Sequence, residues 1–179
     1  MSTKKQKKKT RRNPGKMFEE DFRNSVPDDV KCDRLADPSV SFAYGQNKDK
    51  NIKDNPIRFS KQNPYDFILY RRPKQICLEL KSTQGTSFQY KGKSRTIKKH
   101  QIQGLIDASK YCDAGFLLNF RRTETTYYLP IQAFIELTDN MEKMSINEKD
   151  VARCAIIIPS KKKITRYTYD INALFDSCR

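Results

Sequence analysis

Three side chains in the middle of the chain have the types and spacing to do chemistry: Asp66, Glu79 and Lys81. They sit in Asn63–Thr83, which reads as two strands, Asp66–Arg71 and Gln75–Lys81, rich in Ile, Leu, Tyr and Phe and broken at Arg72-Pro73-Lys74. Two carboxylates from neighbouring strands can hold a hard divalent cation such as Mg²⁺ through oxygen. Such an ion lowers the pKa of a bound water and neutralises charge building on a phosphate. Lys81, two residues from Glu79 and on the same strand face, could orient or help deprotonate that water and stabilise a charged transition state. The bland alternative is an exposed ion pair on a polar strand face, since an acid-x-Lys triplet is common by chance.

The turn between the strands sets which residues face each other. A two-residue loop puts Arg71 opposite Lys74 and Asp66 opposite Glu79. Proline cannot supply the positive φ that such turns usually want, which favours a four-residue loop with Asp66 opposite Lys81. Either register gathers Asp66, Glu79 and Lys81 at one end and on one face.

The chain that must position them has 179 residues, enough for one domain with a real core, and a formal net charge of +15. Lys4, Lys5, Lys7, Lys8, Lys9, Arg11 and Arg12 stand in residues 1–12 without an acid, and the remainder is still strongly basic. That balance points to a polyanion, nucleic acid before an acidic membrane surface. Residues 1–13 read as a disordered basic arm, either gripping DNA or serving as a nuclear address. No apolar run has the length to span a bilayer, and the N-terminus lacks a signal peptide's apolar segment. Five scattered cysteines and a single histidine, His100, argue against structural zinc and a disulfide framework, and suit a reducing cytoplasm.

Asn13-Pro14 opens a helix with Met17, Phe18, Phe22 and Val26 as its apolar stripe and Glu19, Glu20 and Asp21 on the flanks. Val30–Leu35 reads as a short strand. The pattern then weakens across residues 37–62, a projecting insertion before the central hairpin. Ser82–His100 holds Lys91, Lys93, Arg95, Lys98 and Lys99 with Phe88 and Tyr90 among them, which reads as a phosphate-gripping loop or as a solvated lysine-rich one. Gln101–Tyr111 has helical spacing; Gly115–Arg121 and Thr125–Leu129 read as strands; Pro130 starts a helix with Ile131, Phe134 and Ile135 inward. Ser145 and Glu148 make a capping-box pattern for a short helix through Arg153. Ala155–Ile158 is apolar, Lys163–Tyr169 alternates like one strand, and Ile171, Leu174 and Phe175 define a final helix. This order predicts an α/β fold, a mixed sheet between helices, in a single domain over residues 14–179.

Pro64-Tyr65-Asp66 followed by Glu79-Leu80-Lys81 resembles the PD-(D/E)XK nuclease signature, with one residue inserted between Pro and Asp. Gly15-Lys16-Met17-Phe18-Glu19-Glu20-Asp21, Glu79 to Thr83 with Thr86-Ser87-Phe88, His100-Gln101-Ile102, and Gly115-Phe116 onward resemble, in order, stretches of RecU-type Holliday junction resolvases. The resemblance covers about Gly15 to Leu137, more faintly the C-terminus. It implies a restriction-endonuclease-like core with a stalk at residues 37–62, and metal ligation by Asp66, Glu79 and the Leu80 backbone carbonyl. It also implies a catalytic role for Lys81, support from Glu19, a polar role for Gln101, Mg²⁺ as cofactor with Mn²⁺ as a substitute, and a homodimer acting on four-way junctions in the cytoplasm. DNA contacts are expected from Lys7, Lys8, Lys9, Arg11 and Arg12 of the arm and from Lys91, Lys93, Arg95, Lys98 and Lys99 of the loop. Two other readings stay open: a nuclease of the same superfamily acting on linear or flap DNA, and a non-catalytic nucleic-acid-binding protein.

Overall fold

The structure is a computed structural model that describes residues 13–35 and 62–178. The arm residues Lys7, Lys8, Lys9, Arg11 and Arg12 and the stalk candidate up to residue 61 lie outside the described residues.

Helix α1 spans Pro14–Arg23, with the Asn13 side chain accepting from the Gly15 amide at 2.9 Å and proline in the first turn. Strand β1 (Lys31–Arg34) leads to the central hairpin, β2 (Phe67–Arg71) and β3 (Lys74–Thr83). Short β4 (Ser87–Gln89) and α2 (Lys99–Ala108) carry the chain across to β5 (Asp113–Phe120), which turns into β6 (Thr125–Pro130). Then come α3 (Ile131–Asp139), β7 (Ser145–Asn147), α4 (Glu148–Val151), β8 (Ile156–Ile157), β9 (Ser160–Lys163), β10 (Arg166–Tyr169) and α5 (Ile171–Ser177).

The described residues form a six-stranded sheet in the order β1-β2-β3-β5-β6-β8, with β3 and β5 parallel and the other ladders antiparallel. It is the expected mixed sheet between helices, and period-two alternation splits its residues into two cores. Phe67, Leu69, Leu78, Leu80 and Leu117 pack under α1 and α5, against Phe18, Phe22, Leu174 and Phe175. Cys77, Phe116, Leu118 and Phe120 pack on the opposite side, against Leu105 of α2 and Phe134 of α3. Asp66, Glu79 and Lys81 belong by alternation to this second side, facing α2.

Four local expectations need correction. The hairpin has the two-residue loop, with Arg71 opposite Lys74 and Phe67 opposite Leu78. Its Arg72-Pro73 peptide bond is cis, the arrangement of a turn with proline third, which needs no positive φ. The short helix is capped by Asn147 rather than Ser145: its side chain accepts from the Asp150 amide at 3.0 Å while Asp150 accepts from the Asn147 amide at 3.1 Å. Lys163–Tyr169 is not one strand but the last residue of β9, the turn and then β10, with Ile164 at φ 49. Asp21 is not on a solvated flank. It is buried, ion-paired with Arg166, and accepts from the Tyr167 amide at 3.3 Å, tying α1 to β10.

Gly104 in α2 shows how closely the helix approaches the segment before Asp66. A Cβ there would lie 2.8 Å from the Pro64 Cα and carbonyl oxygen and nearer still to its ring. Glycine within a helix costs about 1 kcal/mol relative to alanine, so propensity alone makes Gly104→Ala stabilising. The packing predicts the opposite sign: a loss of about 1–3 kcal/mol from overpacking. Chemical denaturation of the two proteins distinguishes these outcomes, and a stabilised variant would mean that α2 does not contact Pro64.

Candidate active site

β2 begins at Phe67 while β3 runs on to Thr83, so the last residues of β3 lack a strand neighbour on the β2 side. Asp66 stands where that ladder stops. Its amide donates to the Leu78 carbonyl at 3.0 Å, and its carboxylate accepts from the Leu80 amide at 2.9 Å, replacing the missing strand partner with a side chain. Because N–H and C=O of one strand residue point to the same side, the Leu80 carbonyl is directed to the Asp66 side too. Continuing the hairpin register places Asp66 opposite Glu79.

Glu79 is 1% exposed, a carboxylate inside the sheet–helix interface. Lys81 Nζ donates to its Oε1 at 2.5 Å, and the Gln101 carboxamide from α2 donates to the same oxygen. Gln101 is itself held, its Oε1 accepting from the Lys98 amide at 3.0 Å at the start of α2. Among the described residues Glu79 Oε2 has no hydrogen-bond partner. Burial pushes the Glu79 carboxyl up to about 8; the Lys81 ammonium pulls it down, and Asp66 raises it further. His100, beside Gln101, is held below its ordinary value by partial burial and then by the charges of Lys98 and Lys81.

Asp66, Glu79, Lys81 and Gln101 are thus brought together. Glu19 is not: its carboxylate accepts from Arg34 at 2.9 and 3.2 Å, joining α1 to β1. Among the described residues, no group of three or more His, Cys, Asp or Glu side chains converges as a metal cage. Two carboxylates still fit Mg²⁺, which keeps several waters and is commonly held by one or two carboxylates plus substrate phosphates. The orphaned, buried Glu79 Oε2 beside Asp66 is the donor such an ion would satisfy, with the Leu80 carbonyl as a third oxygen.

The basic loop needs a correction as well. Phe88 and Tyr90 are not interleaved contact residues but core, packed edge-on against Phe120 and Phe134 with ring centroids 5.1 and 5.8 Å apart. Lys91 Nζ donates to the Met141 carbonyl at 3.2 Å, while Lys93, Lys98 and Lys99 are exposed and Arg95 is half-buried. Sequence reasoning missed Arg121 and Arg122, at the β5–β6 turn beside the end of β3. Their one signal was two arginines at the end of the strand read over Gly115–Arg121, and its pairing with the acid-x-Lys strand is visible only in the structure.

The sequence matches the RecU family, Recombination protein U, over residues 40–172. The chain belongs to the RecU family. That match reaches further toward the C-terminus than the motifs do and leaves out α1, the helix of Glu19. Among solved structures, the chain is similar to the Holliday junction resolvase Hjc of Archaeoglobus fulgidus, at 14% identity and a TM-score of 0.42, covering 72% of this chain and 82% of that one. No match was found among curated protein sequences. Among the described residues of this RecU-family chain, no helix is long and apolar enough to cross a membrane.

The raised Glu79 pKa has a sign that can be measured. Between the usual carboxylate value of 4.5 and about 8, the folded protein keeps a proton that the unfolded chain has lost. Metal-free protein should therefore lose stability as pH rises through that window. In denaturant titrations with a chelator present, Glu79→Gln should flatten this dependence. An identical pH slope in both proteins would show that Glu79 titrates normally.

Proposed function

We propose that the chain is a divalent-cation-dependent endonuclease that resolves Holliday junctions in recombination and repair by hydrolysing phosphodiesters. The observation that carries this reading is Glu79: a buried carboxylate with one oxygen unpartnered, set beside Asp66 on the hairpin of a RecU-family chain. Family membership and the basic charge support DNA as the substrate.

Each residue has a task. The Leu80 amide fixes Asp66; Lys81 and Gln101 fix Glu79 through one oxygen and leave the other without a partner among the described residues. Asp66, Glu79 and the Leu80 carbonyl would hold Mg²⁺, or Mn²⁺ in its place. Once bound, the ion supplies an acidified water and a counter-charge for the phosphate. Lys81, one-fifth exposed, offers its ammonium to the charge that develops on the phosphate. Exposed Lys93, Lys98 and Lys99, with Arg95 and the arm residues, contact backbone phosphates and position the duplex. Two copies related by a two-fold axis would present paired sites to the two strands that must be nicked. This work would take place in the cytoplasm of a bacterial or phage-infected cell, at the nucleoid.

Cleavage of a four-way junction with and without Mg²⁺, beside a flap and a linear duplex at the same salt, tests the reading. Junction scission should require the metal and exceed scission of the other substrates. Asp66→Asn and Lys81→Ala should each lower cleavage by roughly 10²–10³-fold or more with junction affinity kept. Affinity lost in step with cleavage, or no metal-dependent scission, would contradict it.

A further inference from the structure

The other side of β3 carries a second polar centre at the same end. Ser82 follows Lys81, so its side chain points to the opposite face, where Asn119 is its partner on β5. Ser82 Oγ donates to Asn119 Oδ1 at 2.9 Å and accepts from Arg121 Nε at 2.9 Å. Asn119, 5% exposed, passes the network on to Thr126 Oγ1 at 2.8 Å. Arg121 Nη2 donates to the Pro14 carbonyl at 2.7 Å, where α1 begins.

The Arg121 guanidinium is thus fixed at two positions, each time by a neutral acceptor. Arginine has five N–H donors, so others remain free to bind. Beside it opens a cavity of about 380 Å³ lined by Gln84, Asn119, Arg121, Arg122, Glu124 and Tyr167. Its acid, Glu124, is already engaged by Lys162 and by Tyr167. Among the described residues neither Arg121 nor Arg122 has a carboxylate within ion-pair distance, so both guanidinium charges are left for a ligand.

We propose that this cavity is a subsite for a non-scissile DNA phosphate, gripped by the fixed Arg121 guanidinium and by Arg122, with the Gln84 carboxamide as a neutral donor. The inference rests on the proposed function in taking DNA as the ligand. An arginine held by its neighbours keeps the planar fork that matches two phosphate oxygens, and binds with less ordering cost than a free side chain. The position fits as well. Arg121 bonds the residue directly after Lys81, and successive phosphates of one strand advance by only about 3.4 Å along the duplex axis. A DNA strand that leaves Lys81 around the end of β3 would bring a neighbouring phosphate to the turns that hold Gln84 and Arg122 on the other face.

Binding of the full chain to a fluorescent four-way junction, titrated over a salt series with a chelator present, tests this subsite apart from catalysis. Arg122→Gln alters an exposed side chain and should lower affinity about fivefold and the salt slope by about one. Arg121→Lys keeps the charge but not the fork; it should weaken binding with a smaller change in slope. Arg72→Gln, at the far turn of the hairpin, should match the unsubstituted chain. The proposal is overturned if both site variants keep its affinity and slope, or if Arg72→Gln loses as much as they do. Failure to cut junctions would contradict the proposed function instead, because these slopes are read without a divalent cation.

Discussion

A carboxylate shut away from water must keep its proton, find a counter-charge, or destabilise the fold by several kcal/mol, and Glu79 is such a group. Lys81 and Gln101 satisfy one of its oxygens and leave the other without a partner among the described residues. The position is costly for an apo protein, and a fold that keeps it has built the group for something other than stability. A nearby Asp66 makes the cost larger, since two neighbouring carboxylates repel when both are ionised. A cation removes both costs at once.

The surrounding structure reads as the means of keeping Glu79 there. β2 begins only at Phe67, one residue after Asp66, so the Leu80 amide turns to a side chain instead of a strand. The β3–β5 crossover carries α2 over the sheet, and the Gly104–Pro64 approach sets how deep Gln101 can reach. Aromatic pairs hold the two faces, Phe22 with Phe67 on one and Phe88 with Phe120 on the other, with ring centroids 5.5 and 5.1 Å apart. On the α1 side, Arg166 bridges Glu20 and the buried Asp21, so the N-terminal helix is anchored electrostatically as well as by packing.

Much of this was legible in the residues because it follows from period and punctuation. Asn13-Pro14 and the Phe18, Phe22 spacing marked α1, and alternation put Asp66, Glu79 and Lys81 on one face in either hairpin register. What escaped depended on tertiary context. Pro73 argued against a tight turn only while its peptide bond was taken as trans. Glu19 and Asp21 are adjacent types on one helix, yet Arg34 takes the first and Arg166 buries beside the second, partners 15 and 145 residues away in sequence. Phe88 and Tyr90 lie among lysines in sequence, yet both are core: the short β4–β7 ladder holds Phe88 inward, and Tyr90 follows it. Arg121 and Arg122 carried no motif, and only the pairing of β3 with β5 sets them at the same end of β3 as Lys81, Arg121 on the opposite face.

The central claim is that the buried carboxylate of Glu79, with Asp66, is a divalent-cation site. Calorimetric titration of Mg²⁺ into the full chain at pH 7, repeated in buffers of different ionisation enthalpy, measures both ion binding and the protons it displaces. Because Glu79 is still protonated below about 8, binding should release close to one proton per ion, and Glu79→Gln should abolish that release. Binding with no proton release, binding unchanged in Glu79→Gln, or no binding at all would contradict the account.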